Sequence, residues 1–319
     1  MDLLPDIFPE QKRYHSFAAH IKARYGGRLQ KVVVDAGFSC PNRDGTLGTG
    51  GCTYCLNDAF HPSYSHPQVD LHRQIDEGIL FHRQRYARAT GYLAYFQSYS
   101  NTYAPLERLK KVYEKALSHP QISGLVIGTR PDCVDAQKLD CLAELARKHI
   151  IFMEYGIESC YDRTLNRIRR GHTFEQAREA VHQTALRGIE TGAHFIFGLP
   201  SETQDDMMRT ADIISALPLT SVKFHQLQII KGTAMEQEYK EHPADFVTFD
   251  LHEYIDFFID YLERLSPRIA IERFAGEVPP RFVSKTPWGL IRYADLVRML
   301  ENRLRERDSW QGKKWTEVD

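Results

Sequence analysis

The sequence predicts an α/β protein built as a partial (β/α)6-type TIM barrel with short N- and C-terminal extensions. Strand-like and helix-like segments alternate about every 25–35 residues, which is the spacing of βαβ units with parallel strands. The strand-like segments are mostly continuous apolar runs, as is typical of a sheet that is covered on both faces. Because no linker interrupts the pattern, we expect one domain over residues 1–319, with a core at about 15–275 and a helical extension at about 276–319.

The predicted elements follow that alternation along the chain. A helix with apolar side chains at helical spacing is expected over 9–24, and the β-branched run at 31–37 is expected to form the first strand. A charged helix follows at 69–89. Thr173 and Ser201 each precede a helical pattern with acidic or amide residues in its first turn, which predicts helix starts there. The other predicted strands lie at 92–99, 124–129, 150–157, 190–199, 221–229 and 268–274, and the other helices at 105–118, 135–149, 174–187, 203–216, 249–265 and 289–307.

The composition is typical of a soluble protein without an overall charge bias. Hydrophobic residues make up 42% of the chain, and 41 basic side chains stand against 42 acidic ones, so no global field favours nucleic acid. No apolar run approaches the roughly 18–20 residues of a membrane span. The acidic, proline-broken start does not predict a secretory signal, and six cysteines are too few for a disulfide scaffold. We therefore expect a cytoplasmic protein with no membrane partner.

Three of the six cysteines lie in one glycine-containing loop that follows the first predicted strand. Cys52 and Cys55 form a C-x-x-C pair, and Cys40 precedes that pair by eleven intervening residues. Three thiolates with an open fourth position suit either a [4Fe–4S] cluster with one free iron or a zinc site completed by a histidine such as His61. Unligated thiols in a turn are the third interpretation. The remaining cysteines occur singly and are expected to be small buried residues: Cys133, Cys141 and Cys160.

Polar segments on four later strands accompany the cysteine loop. The third strand ends in T-R-P-D (129–132), the fourth in E-Y-G-I-E-S (154–159) and the fifth in G-L-P (198–200), and K-F-H (223–225) lies in the sixth. Together with C-P-N-R-D-G-T…G-G-C-x-Y-C around the cysteines, these segments resemble the radical SAM superfamily. Within it, they are most similar to the stand-alone bacterial group related to the catalytic subunit of Elongator, over about residues 12–315. The gap of eleven residues departs from the three that are commonest in the superfamily.

The resemblance implies a fold of radical SAM type and assigns roles to individual residues. It implies that Cys40, Cys52 and Cys55 hold a [4Fe–4S] cluster, which passes one electron to S-adenosylmethionine (SAM) and so generates a 5′-deoxyadenosyl radical. The implied SAM contacts are Tyr54, Gln97, Ser98, Glu154, Glu158, Ser159, Gly198 and Leu199. The implied substrate contacts are Arg130, Arg170, His172 and Lys223.

Some of these residues also fit simpler interpretations. The superfamily often carries a Gly-Gly-Glu run where this chain has Gln97 and Ser98. The segment that begins at Gly198 also fits a strand-ending turn. Arg130 fits either a clamp for a carboxylate or phosphate, or an ion pair with a neighbouring acid at the barrel rim.

Elongator-type enzymes act on the wobble uridine of transfer RNA, so the resemblance implies modification of the C5 side chain of that base. It further implies an electron donor such as flavodoxin or ferredoxin. Basic clusters could contact the RNA backbone, or could be solvated helix faces balanced by nearby acids. Two other functions stay open: a radical SAM enzyme acting on a small metabolite or peptide, and a non-catalytic, zinc-stabilised protein that binds nucleic acid. The basic clusters comprise Arg163, Arg167, Arg169 and Arg170, and, near Trp310 and Trp315, Arg292, Arg298, Arg303, Arg305, Arg307, Lys313 and Lys314.

Overall fold

Seven parallel strands form a curled half-barrel in a computed structural model of the chain, which describes residues 8, 12–56, 62–83, 88–284, 288–289 and 291–317. The strands follow chain order across the sheet, and every neighbouring pair runs parallel. This arrangement confirms the predicted partial barrel. The strands are β1 (Leu29–Val34), β2 (Gly91–Phe96), β3 (Ile122–Thr129), β4 (Ile150–Glu158), β5 (Glu190–Phe197), β6 (Ser221–Gln226) and β7 (Ala270–Arg273).

Helices connect the strands, and most of them lie close to their predicted positions. Thr173 caps its helix through a capping box, as expected, whereas the next such cap is Thr203 rather than Ser201. Helix α1 begins at Phe17, after the cap Ser16, so residues 12–16 of the predicted helix are not helical, and residues 9–11 of it lie outside the described residues. The helices are α1 (Phe17–Tyr25), α2 (Leu71–Arg83), α3 (Leu106–Leu117), α4 (Ala136–Ala146), α5 (Asp162–Arg167), α6 (Phe174–Leu186), α7 (Gln204–Ser215), α8 (Ala234–Glu241), α9 (Leu251–Arg264) and α10 (Tyr293–Glu306).

Two of these helices, α5 and α8, were not predicted. They have six and eight residues, too few to establish an apolar repeat at helical spacing. None of the helices in the described ranges has both the length and the apolar character that crossing a bilayer requires.

The two faces of the sheet are covered differently. The outer face packs against the helices in the main hydrophobic core. On the concave face, α1 places Phe17 and Ile21 against Leu93 and Tyr95 of β2 and Phe152 of β4. These apolar contacts occupy part of the concave face. Polar groups lie toward the carboxyl-terminal end of the half-barrel, and barrel enzymes place their sites at that end.

Candidate functional site

A cavity of about 690 Å³ runs along the concave face, and all seven strands contribute residues to its lining. Most of the predicted site residues meet there. Four of them lie outside the lining: Ser159, His172, Gly198 and Leu199. The predicted residues that line the cavity are Cys40, Cys52, Tyr54, Cys55, Gln97, Ser98, Arg130, Glu154, Glu158, Arg170 and Lys223.

The cysteine loop is closed by its own backbone. The amide of Arg43 donates to the carbonyl of Cys40 (2.8 Å), and the amide of Cys55 donates to that of Cys52 (3.0 Å). Gly51, with φ of +75°, adopts the left-handed conformation that glycine permits at low cost, and its amide donates to the carbonyl of Asn42 (2.8 Å). All three cysteines of the loop are free thiols. The turns therefore bring three free thiols into the lining of the cavity.

Two arginines from distant parts of the chain stand beside these thiols. Arg130 follows β3, is only 2% exposed, and forms a two-bond ion pair with Asp132 (2.9 and 2.7 Å). This is a rim ion pair of the kind considered for Arg130. Arg170 follows α5 and donates to the carbonyl of Gly156 (2.5 Å) and to the sulfur of Cys52 (3.5 Å). Within the described residues, each guanidinium keeps one buried nitrogen without a hydrogen-bond partner, Nη1 of Arg130 and Nε of Arg170.

Such unpartnered donors are costly in a buried place unless an anionic group accepts from them. Three thiolates and a [4Fe–4S] cluster would supply negative charge there, so this donor set fits a cluster. In the described part of the chain, no group of three or more His, Cys, Asp or Glu side chains is gathered closely enough to hold a single metal ion. His61, the histidine considered for a zinc site, lies outside the described residues.

A bulge at the end of β4 shapes the wall next to Arg170. The register of β4 against β5 shifts between Gly156 and Glu158, and Glu158 takes a positive φ of 75°. A Cβ atom on Gly156 would lie 2.6 Å from Nη2 of Arg170, so only glycine lets the arginine approach the strand. The bulge brings the Glu158 carboxylate within 3.6 Å of the same guanidinium. No local sequence signal marks this contact.

Deeper in the cavity, five charged or titratable side chains form an ionic layer: Lys31, Glu154, His194, Lys223 and Glu272. Glu154, 3% exposed, lies 2.5 Å from Lys31 and 2.6 Å from Lys223. Glu272 lies 2.6 Å from Lys31 and 3.2 Å from Lys223, and His194 Nε2 lies 3.1 Å from Glu154. Burial opposes ionisation of Glu154, but the two lysines and His194 outweigh it and hold its pKa well below the usual glutamate value.

Only Glu154 and Lys223 of this layer were predicted. Lys31, Glu272 and His194 each come from a different strand, and their partners are remote in the chain. The sequence offered one indication of such a layer: Lys31, a charged residue, directly precedes three consecutive valines in the first strand. A charged residue at a buried strand position indicates a partner on a neighbouring element, but does not identify it.

The predicted residues outside the cavity lining support its walls. The Ser159 hydroxyl donates to the Glu202 carboxylate, and burial raises the pKa of Glu202 to about 7. Gly198, with φ of +91°, approaches the backbone of Val247, as a strand-ending turn requires. Leu199 packs in an apolar cluster against Tyr54.

His172 also lies behind the cavity wall. Burial, and then the charge of Arg170, lower the pKa of His172 to about 3. Its Nδ1 lies 3.1 Å from the carbonyl of Thr173. The ring is therefore neutral at physiological pH.

The predicted basic clusters are largely neutralised by acids of the same chain. Arg163 pairs with Asp206, and Arg167 pairs with Glu238 and Asp245. On α10, Arg303 and Arg307 both pair with Asp256 of α9, so much of that helix face is a balanced surface. Among the described residues in or directly beside the walls of this cavity and of a second, adjoining one, four exposed cations form no ion pair with an acidic side chain. Arg273 and Arg292 line a wall, whereas Lys231 and Arg281 each follow a lining residue in the chain.

A second cavity of about 480 Å³ adjoins the first. The two share Gln226, Gln228 and Gly276 in their walls, and the second is also lined by Trp288 and Arg292. Two of the unpaired cations, Arg273 and Arg292, therefore line adjoining and partly aromatic cavities.

Comparison with known proteins identifies related families and folds. Residues 45–214 match the family model of the Radical SAM superfamily, and residues 219–306 match the model of the Radical_SAM C-terminal domain. "Uncharacterized protein YtqA" of Bacillus subtilis is 34% identical over 304 residues, which are 95% of this chain and 93% of YtqA. "tRNA uridine(34) acetyltransferase" of Methanocaldococcus infernus is 25% identical over 178 residues, 54% of this chain and 32% of that protein.

Among solved structures, the Methanocaldococcus infernus Elp3 with an N-terminal deletion is similar in fold. It aligns with a TM-score of 0.63 at 14% identity, over 89% of this chain and 64% of that one. This chain therefore spans less than two thirds of that structure.

Proposed function

Because this chain belongs to the radical SAM superfamily, an enzyme family that uses a [4Fe–4S] cluster and SAM, we propose that it cleaves SAM reductively and modifies the wobble uridine of tRNA. One observation carries the first part of this proposal. Three free thiols and two buried guanidinium groups with unpartnered nitrogens meet in the lining of a single cavity. That combination favours binding of a thiolate-ligated, negatively charged centre.

In this proposal Cys40, Cys52 and Cys55 hold the cluster, and Arg130 and Arg170 offset its negative charge. When bound, the cluster and SAM supply one electron and a carbon radical that removes a hydrogen atom from the substrate. Tyr54, Gln97, Ser98 and Glu158 line the same cavity and would contact SAM there. The ionic layer, which contains Glu154 and Lys223, forms a polar floor that positions the substrate. The surrounding barrel limits access of water and other quenchers.

The tRNA part of the proposal has two supports. One relative, which matches 54% of this chain, is the tRNA uridine(34) acetyltransferase of Methanocaldococcus infernus. In addition, the unpaired cations Arg273 and Arg292 line the two adjoining cavities, and Lys231 and Arg281 each follow a lining residue in the chain. We expect these four side chains to meet RNA phosphates. The proposed site for the RNA backbone is therefore the surface beside these cavities, rather than the balanced face of α10.

Anaerobic reconstitution tests the SAM reaction directly. With flavodoxin or ferredoxin, or a chemical substitute, as electron donor, the protein is expected to carry about four irons and to form 5′-deoxyadenosine from SAM. A colourless protein that contains zinc and forms no 5′-deoxyadenosine would overturn the radical proposal and favour the zinc-stabilised alternative.

The substrate is tested by mass spectrometry of tRNA nucleosides from a strain that lacks the protein. We expect the wobble-uridine profile to change, and we expect tRNA to stimulate 5′-deoxyadenosine formation in vitro. An unchanged profile together with no stimulation would exclude tRNA and leave a small metabolite or peptide as the substrate. Salt provides a further distinction, because binding dominated by phosphate contacts weakens steeply as salt rises.

Charge reversal beside these cavities tests where the RNA binds. Arg281→Glu combined with Arg292→Glu is expected to weaken tRNA binding by tenfold or more, on the order of 1.4 kcal/mol. The matched control, Arg298→Glu combined with Arg305→Glu, makes the same charge change on α10 and is expected to have much less effect. An equal loss in both double variants would contradict the proposed location.

A further inference from the structure

Cys52 has a different environment from the other two cysteines of the loop. It is 6% exposed, whereas Cys40 and Cys55 are partly exposed. Two side chains donate to its sulfur: the amide nitrogen of Asn42 at 3.4 Å and Nη1 of Arg170 at 3.5 Å. One of these donors carries a positive charge, so Cys52 lies in a locally positive, water-poor place.

Other contacts hold both donors in position. The Asn42 amide nitrogen lies 2.8 Å from the carbonyl oxygen of Arg169 and 3.1 Å from that of Arg170. Carbonyl oxygens only accept, so these two contacts orient the NH₂ group, and not the amide oxygen, toward the sulfur. Arg170 is held by the carbonyl of Gly156. Since these partners are independent of Cys52, the donors would keep their positions when the sulfur binds a metal.

The long gap between the first two cysteines of the loop contributes to this arrangement. The gap folds back on itself, because the amide of Gly51, the residue directly before Cys52, donates to the carbonyl of Asn42. Gly171 (φ +78°) leaves room for the Asn42 side chain, because a Cβ atom on residue 171 would lie 2.7 Å from Oδ1 of Asn42. The gap therefore links the cysteine loop to residues 169–171.

We propose that Asn42 and Arg170 are positioning residues that raise the reduction potential of the cluster through the sulfur of Cys52. The inference rests on the proposed function, since it requires a cluster at these cysteines. Reduction adds one electron from the external donor, and no bond is formed or broken. N–H donors and a fixed positive charge at a ligand sulfur stabilise the more negative, reduced state. Loss of either donor should make the cluster harder to reduce.

The test is a redox titration of anaerobically reconstituted protein, followed by electron paramagnetic resonance. Arg170→Gln is expected to lower the ratio of reduced to oxidised cluster at a fixed potential by about tenfold, a shift of about 59 mV to more negative values. Arg170→Lys keeps the charge and should shift the potential less. Asn42→Ala removes the second donor independently and should also shift it to more negative values. The control, Arg163→Gln, changes an exposed arginine of α5 that pairs with Asp206 and should leave the potential unchanged.

Iron and sulfide content separates this inference from the proposed function. Wild-type protein that binds no cluster would overturn both. If Arg170→Gln and Asn42→Ala hold about four irons at the wild-type potential, the proposed function stands and the role of these two residues is refuted. If Arg170→Gln loses the cluster, the reduction potentials of Arg170→Lys and Asn42→Ala test the inference instead. A more negative reduction potential in Asn42→Ala supports it. Wild-type reduction potentials in both variants overturn it.

Discussion

The cysteine end of the cavity and the ionic layer below it are both buried and highly charged, yet their hydrogen-bond donors are satisfied differently. In the ionic layer, Lys31 and Lys223 each contact the carboxylates of both Glu154 and Glu272. At the cysteine end, Arg130 and Arg170 also lie beside acids, but each keeps one buried nitrogen without a partner among the described residues. A buried donor without an acceptor is costly, so the layer is complete within the chain, whereas the cysteine end can still receive an anionic group. Unpartnered donors, and not paired charges, thus distinguish the two regions.

The largest expected effect comes from removing a thiol at the cysteine end. Cys52→Ala should abolish cluster binding and 5′-deoxyadenosine formation, because only two ligands would remain. Iron content and visible absorbance measure the loss. Cys141→Ala, on the surface of α4, is the control and should keep both. Full iron content in Cys52→Ala would contradict the assignment of this end as the binding site.

Breaking the ionic layer should instead affect folding. Glu154→Ala leaves two buried lysines with one shared carboxylate, and we expect it to lower the free energy of unfolding by about 3–5 kcal/mol. Denaturant unfolding measures this change. Glu175→Ala removes one partner of an exposed pair with Arg178 and should leave unfolding unchanged. Equal stability of both variants would mean that the layer is not a structural unit.

The pH dependence of stability should distinguish two buried carboxyl groups. Glu202 accepts a hydrogen bond from the Ser159 hydroxyl and has no cation within ion-pair distance in the described part of the chain, and burial raises its pKa to about 7. Its neutral form is therefore favoured in the folded state. The resulting stability, on the order of 3 kcal/mol, is present below the ordinary pKa near 4.5 and is lost as the pH rises through 7. Glu202→Gln should remove this decline between pH 4.5 and 7 in urea unfolding.

The stability that Glu154 contributes should depend on pH with the opposite sign to that of Glu202. Its pKa is depressed, so the stability from its carboxylate is present above pH 4.5 and is lost as the pH falls through the lower, native value. Glu154→Gln should flatten the acid limb of the stability profile. An unchanged acid limb would show that the lysines do not hold this carboxylate ionised.

The smallest expected effect lies outside the cavity, on the face that α10 shares with α9. Arg307→Ala removes partly exposed ion pairs with Asp256 and Asp260 and should cost about 0.5 kcal/mol. Binding of tRNA in a filter assay should be unchanged in this variant. A loss of RNA affinity in Arg307→Ala would indicate that the C-terminal helical region contacts RNA.

Much of the fold could be predicted because local patterns carry it. Alternating apolar strands and periodic helices specified a parallel half-barrel, and Thr173 marked a helix start that the structure confirms. The spacing of Cys40, Cys52 and Cys55 predicted a metal or cluster loop at the carboxyl end of the first strand, and only the resemblance of later segments favoured a [4Fe–4S] cluster over zinc. Short helices such as α5 were missed because a few residues cannot establish a repeat.

The sequence by itself therefore determined the architecture and the three cysteines, since both depend on residues that are close together in the chain. Tertiary structure decided which charges are paired. Lys31 meets Glu154 and Glu272 across 123 and 241 residues, and Arg170 reaches Cys52 across 118. It also decided that Arg307 on α10 is neutralised by acids of α9. The electrostatic energy of a buried charge depends on its distance to groups that only the folded chain brings near, and no local pattern encodes that distance.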